Sequence, residues 1–178
     1  MTPVLRNRLL GVLLAMAVFG VDRWIKALVV GPWRLREVGV IDLLPFFDLR
    51  WTQNFGVSLG YFKASSPEMR WGLVGVTALI ALVVFTWLMR ERRLGDIAPL
   101  GLILGGALGN IRDRYLLGYV IDYADLHFGE IRPFLIFNVA DAAISIGVVI
   151  ILARALFMRE KPPAAQGGPE ADKSAEIS

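Results

Sequence analysis

The sequence predicts a mainly α-helical membrane protein: four transmembrane helices, a small extracytoplasmic β-sheet between the first and second, and a loop between the third and fourth. Three observations carry this. The chain is 56% hydrophobic and 20% charged, with a mean hydropathy of +0.57, more apolar and less charged than a soluble domain of 178 residues. Its apolar residues fall in long runs, which lipid rather than water solvates. Between the first two runs, polar and apolar residues alternate with the period of a strand.

The first run covers residues 9–21 and continues through 24–30, after Arg6 and Arg8. A basic start and an apolar stretch also describe a signal peptide, but no Ala-x-Ala-like site closes the run. It ends instead on Asp22-Arg23-Trp24-Ile25-Lys26, so residues 9–30 are expected to stay as a membrane helix. In residues 32–66, Phe47, Leu49 and Trp51 alternate with Asp48, Arg50 and Thr52. Residues 38–44 and 57–62 are weaker strand candidates, and the whole cradle is expected at about 35–63.

Residues 71–89 contain no charge and form the cleanest span, within a helix of about 70–90. After the basic turn at 90–93, residues 97–111 make a third run, which reaches spanning length if it continues to 117. Segment 118–132 has strand-like residues and turn signals. Pro133 suits the start of a fourth helix over 134–158. One domain is expected over 1–160, followed by a disordered cytoplasmic tail over 161–178. Four spans put both termini on one side. Arg6, Arg8, Arg90, Arg92, Arg93, Arg154, Arg159 and Lys161 gather there, and the positive-inside rule makes that side the cytoplasm.

The absence of cysteine excludes disulfides and thiolate chemistry. One histidine, His127, argues against a His-based metal site or a Ser/His triad. A net charge of +3 is too small to argue for nucleic acid.

Ionisable residues in or beside a span are costly and need a partner or a function. Here they crowd the outer ends of the first, third and fourth spans. Asp22 and Lys26 are four apart in acid-first order, which fits either an anchoring ion pair or a site. Asn110 shares a helix face with Gly106 and with Asp113 or Arg114, while Gly105 and Gly109 form a small-xxx-small pair. Asn138, Asp141 and Ser145 share a face of the fourth helix. If that helix starts at Pro133, Asp141 lies roughly 12 Å along it. Asp122 and Asp125 point to opposite faces of a strand, so only one of them faces Asp141 easily. Two neighbouring carboxylates share a proton, providing a base to activate water and an acid for the leaving group. A proton-coupled transporter is the alternative from another class, since membrane carboxylates also relay protons.

Five segments in order then identify a family. They are Asp22-Arg-Trp-Ile-Lys26, Asn54-Phe-Gly56-Val-Ser-Leu-Gly60, Gly105-Gly-Ala-Leu-Gly-Asn110-Ile-Arg-Asp113-Arg114, Val120-Ile-Asp122-Tyr-Ala-Asp125-Leu-His127 and Phe137-Asn138-Val-Ala-Asp141-Ala-Ala-Ile144. From Asp22 to Ile144 the chain resembles lipoprotein signal peptidase, the type II signal peptidase of bacteria. The resemblance implies a catalytic pair at Asp122 and Asp141. It implies supporting roles for Asp22, Lys26, Asn54, Gly56, Asn110, Asp113, Arg114 and Asn138. It further implies a globomycin-sensitive aspartic endopeptidase of the inner membrane, without metal or cofactor. The substrates would be prolipoproteins bearing S-diacylglyceryl cysteine, cut just before that cysteine. Membrane lipids would surround a monomer that binds no nucleic acid. The chain departs from the family in having Val57-Ser58-Leu59 after Gly56 and Tyr123 after Asp122, which touches substrate-loop detail rather than the chemistry.

Overall fold

The structure is a computed structural model that describes residues 1–56 and 67–157. The strand candidate at 57–62, the end of the cradle at 63 and the tail at 161–178 lie outside the described residues. Eight elements follow in order: α1 (Pro3–Val30), α2 (Leu35–Val38), β1 (Val40–Leu44), β2 (Phe47–Asn54), α3 (Pro67–Arg90), α4 (Leu94–Leu117), β3 (Val120–Leu126) and α5 (Val139–Phe157). Four of the helices, α1, α3, α4 and α5, are long and apolar enough to cross a membrane.

Helix α1 begins at Pro3, earlier than the apolar run. The Thr2 hydroxyl accepts the Leu5 N–H at 3.3 Å, and Pro3 occupies the first turn, where its missing donor costs nothing. The polar residues of the second turn have a task. Asn7 donates to the Arg92 carbonyl at 2.9 Å and Arg8 to the Glu91 carbonyl at 3.0 Å, tying α1 to the α3–α4 turn.

Helix α4 is the centre of the bundle and its most apolar stretch is more than half buried, while each of the others buries less than a fifth of its own. Its glycines make this possible. A Cβ on Gly105 would lie 2.4 Å from the Ala15 carbonyl of α1, and one on Gly106 would lie 2.4 Å from the Ala140 carbonyl of α5. Apolar burial drives little association between helices in lipid, so close backbone approach and dispersion carry more of it. Ala15, Leu88, Ile97 and Leu100 fill the core between α1, α3 and α4.

At the other end, β1, β2 and β3 form an antiparallel sheet in that order. The third strand comes from the segment between α4 and α5, so the sheet joins both halves of the chain. Val29, Leu35, Leu49, Ile121 and Tyr123 form a second core beneath it. A bulge lies between Leu49 and Thr52, where β2 uses one residue more than β3. Beyond it Thr52 pairs with Asp122 and Asn54 with Val120, which leaves Asn54 diagonal to Asp122.

The fourth spanning helix starts at Val139 and not at Pro133 as the sequence predicts. Phe137 is held extended on the free side of β3: its N–H donates to the Ala124 carbonyl at 3.1 Å, and its carbonyl accepts the Ala124 N–H at 2.8 Å. A residue paired as a strand cannot also be helical, so the helix waits for Asn138. Asp141 therefore sits in the first turn, not 12 Å along a helix.

Gly105→Ala should cost about 1–3 kcal/mol by overpacking against the Ala15 backbone, seen as a lowered Tm in detergent. Gly75→Ala, where nothing lies within 4 Å, should leave Tm unchanged or raise it.

Candidate active site

Asn138 is the first residue to consider, because it meets both carboxylates. Its side-chain oxygen accepts the Asp141 N–H at 2.9 Å, and the Asp141 carboxylate accepts the Asn138 N–H at 3.3 Å. This reciprocal pair is a capping box, with Asp141 at its third helical position. The Asn138 amide nitrogen meanwhile donates to Asp122 Oδ1 at 2.6 Å. One residue thus caps α5, orients Asp141 and binds Asp122.

Two more amides complete the shell. Asn110 on α4 donates to Asp141 Oδ1 at 2.7 Å. Asn54 at the end of β2 donates to Asp122 Oδ2 at 2.9 Å. The Asn54 side-chain oxygen is fixed in turn by the Gly56 N–H at 2.9 Å, and Gly56 has φ +96°, a conformation that favours glycine. Each carboxylate accepts two hydrogen bonds, and neither forms an ion pair among the described residues.

Burial sets the electrostatics of Asp122. It is 1% exposed, and burial pushes its pKa up to about 6, with the Asp141 charge adding to the effect. The Asn54 and Asn138 donors act the other way by favouring the charged form. Asp125 has the opposite outcome. Burial raises it, but hydrogen bonds and ion pairs with Arg132 and Arg50 outweigh that and hold it below the usual carboxylate range. Both guanidinium Nε atoms contact Asp125 Oδ2, at 3.2 and 3.0 Å. The choice that strand alternation leaves open is thereby decided geometrically: Asp122 faces the asparagines and Asp141, while Asp125 is consumed by two arginines.

Beneath this shell lies a buried charge network. Lys26 is 0% exposed and sits 3.0 Å from Asp22 and 2.7 Å from Asp113, both equally buried. Arg23 adds a 2.6 Å contact to Asp113. Asp22 also accepts the Ala140 N–H at 3.2 Å, taking one of the orphan donors at the start of α5. Arg114 stands apart. It lies within electrostatic reach of Asp141, Asp122 and Asp113, yet its buried Nε has no partner among the described residues.

All ten residues picked out by the sequence therefore gather at the sheet end of the bundle. Arg23, Arg50 and Arg132 join them without having been picked out as site residues. Arg23 carried a signal, a third charge inside the Asp22-to-Lys26 motif of an apolar helix. Arg50 and Arg132 carried none, because their common partner lies on a different segment.

Two cavities adjoin the carboxylates. One of ≈ 610 Å³ is lined by Asn54, Gly56 and Asp122 and walled by the loop at 132–136. A smaller one of ≈ 280 Å³ is lined by Leu126, Phe137, Asp141 and Ser145. Phe134 and Leu135 border both. Among the described residues no three His, Asp or Glu side chains converge as a metal site would require. The arrangement can hold water between two carboxylates of unequal environment, with half-buried Arg114 within electrostatic reach of both.

The fold and this site define a membrane-embedded protein with two neighbouring aspartates at the sheet end of its helices. The model of a family described as signal peptidase (SPase) II matches residues 14–157. A lipoprotein signal peptidase of Rhizorhabdus wittichii is 53% identical over 159 residues, covering 89% of this chain and 92% of that relative. One of Sphingopyxis alaskensis is 47% identical over 171 residues, covering 96% and 97%. A solved bacterial membrane enzyme, determined in meso at 1.9 Å, superposes with a TM-score of 0.72 at 26% identity, covering 84% of this chain and 94% of that one. The chain belongs to the signal peptidase II family, and it is a multi-pass inner-membrane protein.

Lys26→Met should cost about 3–5 kcal/mol, because among the described residues it leaves buried Asp22 with no ion-pair partner and Asp113 with Arg23 alone. Denaturation in mixed micelles reads this. A loss no larger than that of Arg34→Ala, which breaks the exposed pair with Glu37, would contradict the network's role.

Proposed function

We propose that the chain removes signal peptides from diacylglyceryl-modified prolipoproteins, with Asp122 and Asp141 as its catalytic dyad. The observation that carries the dyad is Asn138, which binds one carboxylate through its amide and the other through its backbone and cap. Aspartic-type signal peptidase II activity in lipoprotein processing follows from the family and from the relatives. The transporter alternative gains no support from these relatives.

In the proposed reaction one carboxylate of the dyad takes a proton from water. The resulting hydroxide attacks the carbonyl carbon of the residue before the lipidated cysteine. The other carboxyl, protonated, donates to the oxyanion. On collapse the C–N bond breaks, the leaving amine takes the proton drawn from water, and a hydroxyl proton of the new carboxyl group returns to the second carboxylate. Because the pair titrates as a unit, the two parts are assigned to the dyad and not to either member. Asn54, Asn110 and Asn138 orient the carboxylates. Arg114, with an uncommitted Nε, orients the substrate backbone. Asp22, Lys26 and Asp113 hold α1, α4 and the start of α5 in register.

The peptide would occupy the cavity along Asn54 and Asp122, and the lipid substituents the apolar one beside Asp141. The basic α3–α4 turn, together with Arg8 and Arg154, supports a cytoplasmic placement of the opposite end of the bundle. Both termini are then cytoplasmic, and the dyad lies near the extracytoplasmic face.

Asp122→Asn and Asp141→Asn should each reduce cleavage of a lipidated precursor on the order of 10⁴-fold, the loss typical when a hydrolase loses a participating carboxylate, while the protein stays folded. Normal turnover in either variant would sink the dyad. The wild-type cleavage should be blocked by globomycin.

The pH profile of kcat/KM should show a limb near Asp122's value of about 6. Asn54 donates to the ionised form, so Asn54→Ala should move that limb to higher pH; movement to lower pH would contradict the assignment.

A further inference from the structure

A third cavity, of ≈ 380 Å³, lies where α1 and α4 leave the bundle for the sheet, and neither Asp122 nor Asp141 lines it. Arg23, Arg36, Trp51 and Tyr119 contribute to its wall, with Val30 and Leu117 on its apolar side. Val30 is the last residue of α1 and Leu117 the last of α4. The cavity therefore stands at the level where membrane helices end, which is the depth of lipid headgroups.

Its charge is not balanced. Asp22 and Asp113 neutralise Lys26 and Arg23. Glu37 pairs with Arg34 one turn along α2. Arg36 is exposed and has no ion-pair partner among the described residues. Arg23 commits Nη1 to Asp113, and a guanidinium carries five donors. Two arginines at the mouth of one cavity match a phosphate, which takes guanidinium groups in pairs of hydrogen bonds. Half-exposed Val30 and Leu117 continue the wall onto the apolar flanks of α1 and α4. An anion above and an apolar surface below is the chemistry of a phospholipid.

We infer that this cavity binds the phosphate headgroup of an anionic glycerophospholipid, held by Arg36 with Arg23, its acyl chains lying against α1 and α4. Trp51 and Tyr119 are amphipathic rings suited to headgroup depth. The bound lipid would pack across the joint between α1 and the sheet, in a cavity that neither carboxylate of the dyad lines.

Native mass spectrometry of the full chain in detergent tests this, with phosphatidylglycerol, phosphatidylcholine and inorganic phosphate offered separately at equal concentration. Phosphatidylglycerol should be retained in preference to both. Arg36→Gln should lower its retention about fivefold, the effect of one cation near a lipid phosphate. Arg34→Gln removes the same charge from the residue just before the same short helix and should change retention little. Arg36→Gln should keep cleavage of a lipidated precursor, which also shows that the variant is folded. Equal losses in the two variants would reduce the effect to diffuse surface charge and overturn the site. So would undiminished retention in Arg36→Gln. Equal retention of phosphatidylcholine would overturn the anionic preference, and equal retention of inorganic phosphate would overturn the lipid as its source.

Discussion

Asn138 stands where an extended chain becomes a helix, and much of the site hangs on that junction. Before it, Phe137 is locked onto β3 by backbone hydrogen bonds. After it, α5 begins, with its first donors taken by Asn138 and Asp22. Because β3 carries Asp122 and α5 carries Asp141, a single residue sets how the two carboxylates meet. An aspartate at this position would add a third negative charge, and an alanine would leave Asp122 short of a donor and the Asp141 N–H at the helix start without its acceptor.

The junction needs a rigid base, and the buried ions supply it. Lys26 between Asp22 and Asp113 joins α1 to α4, and Asp22 reaches on to α5. Charges with no exposure are stable only as a matched set, since each one removed leaves its partners in a medium that solvates them poorly. The glycines of α4 let this set close. A side chain at Gly109 would fall 2.7 Å from Asp22 Oδ2. Backbone packing in the lipid-facing half and ion pairing at its end are therefore one arrangement.

Most of the helical architecture was legible because lipid makes a strong pattern: long runs without charge read as spans. The sheet was partly legible, since β2 alternates cleanly. Its third strand was harder to assign, because Val120–Leu126 is buried on almost every residue and shows no one-sided alternation. The start of α5 was misplaced for a physical reason. Pro133 is compatible with a helix start, but the pairing of Phe137 with Ala124 is a contact between distant segments that local sequence does not encode. The depth argument for Asp141 fell with it. The residue stands in the first turn of α5, held by Asn110 and Asn138, and not deep in a helix.

By itself the sequence determined that this chain lives in a membrane and that its polar residues crowd one end. The motifs added a family and a pair of aspartates. Only the tertiary structure decided what each acid touches. Asp122 and Asp125 are three residues apart on one strand with nearly identical burial, yet two amides hold one and two arginines hold the other. The difference comes from β2, the loop at 132 and the cap of α5, all separate in sequence. A side chain's ionisation follows the groups folding brings beside it, and those groups are absent from its own stretch of chain.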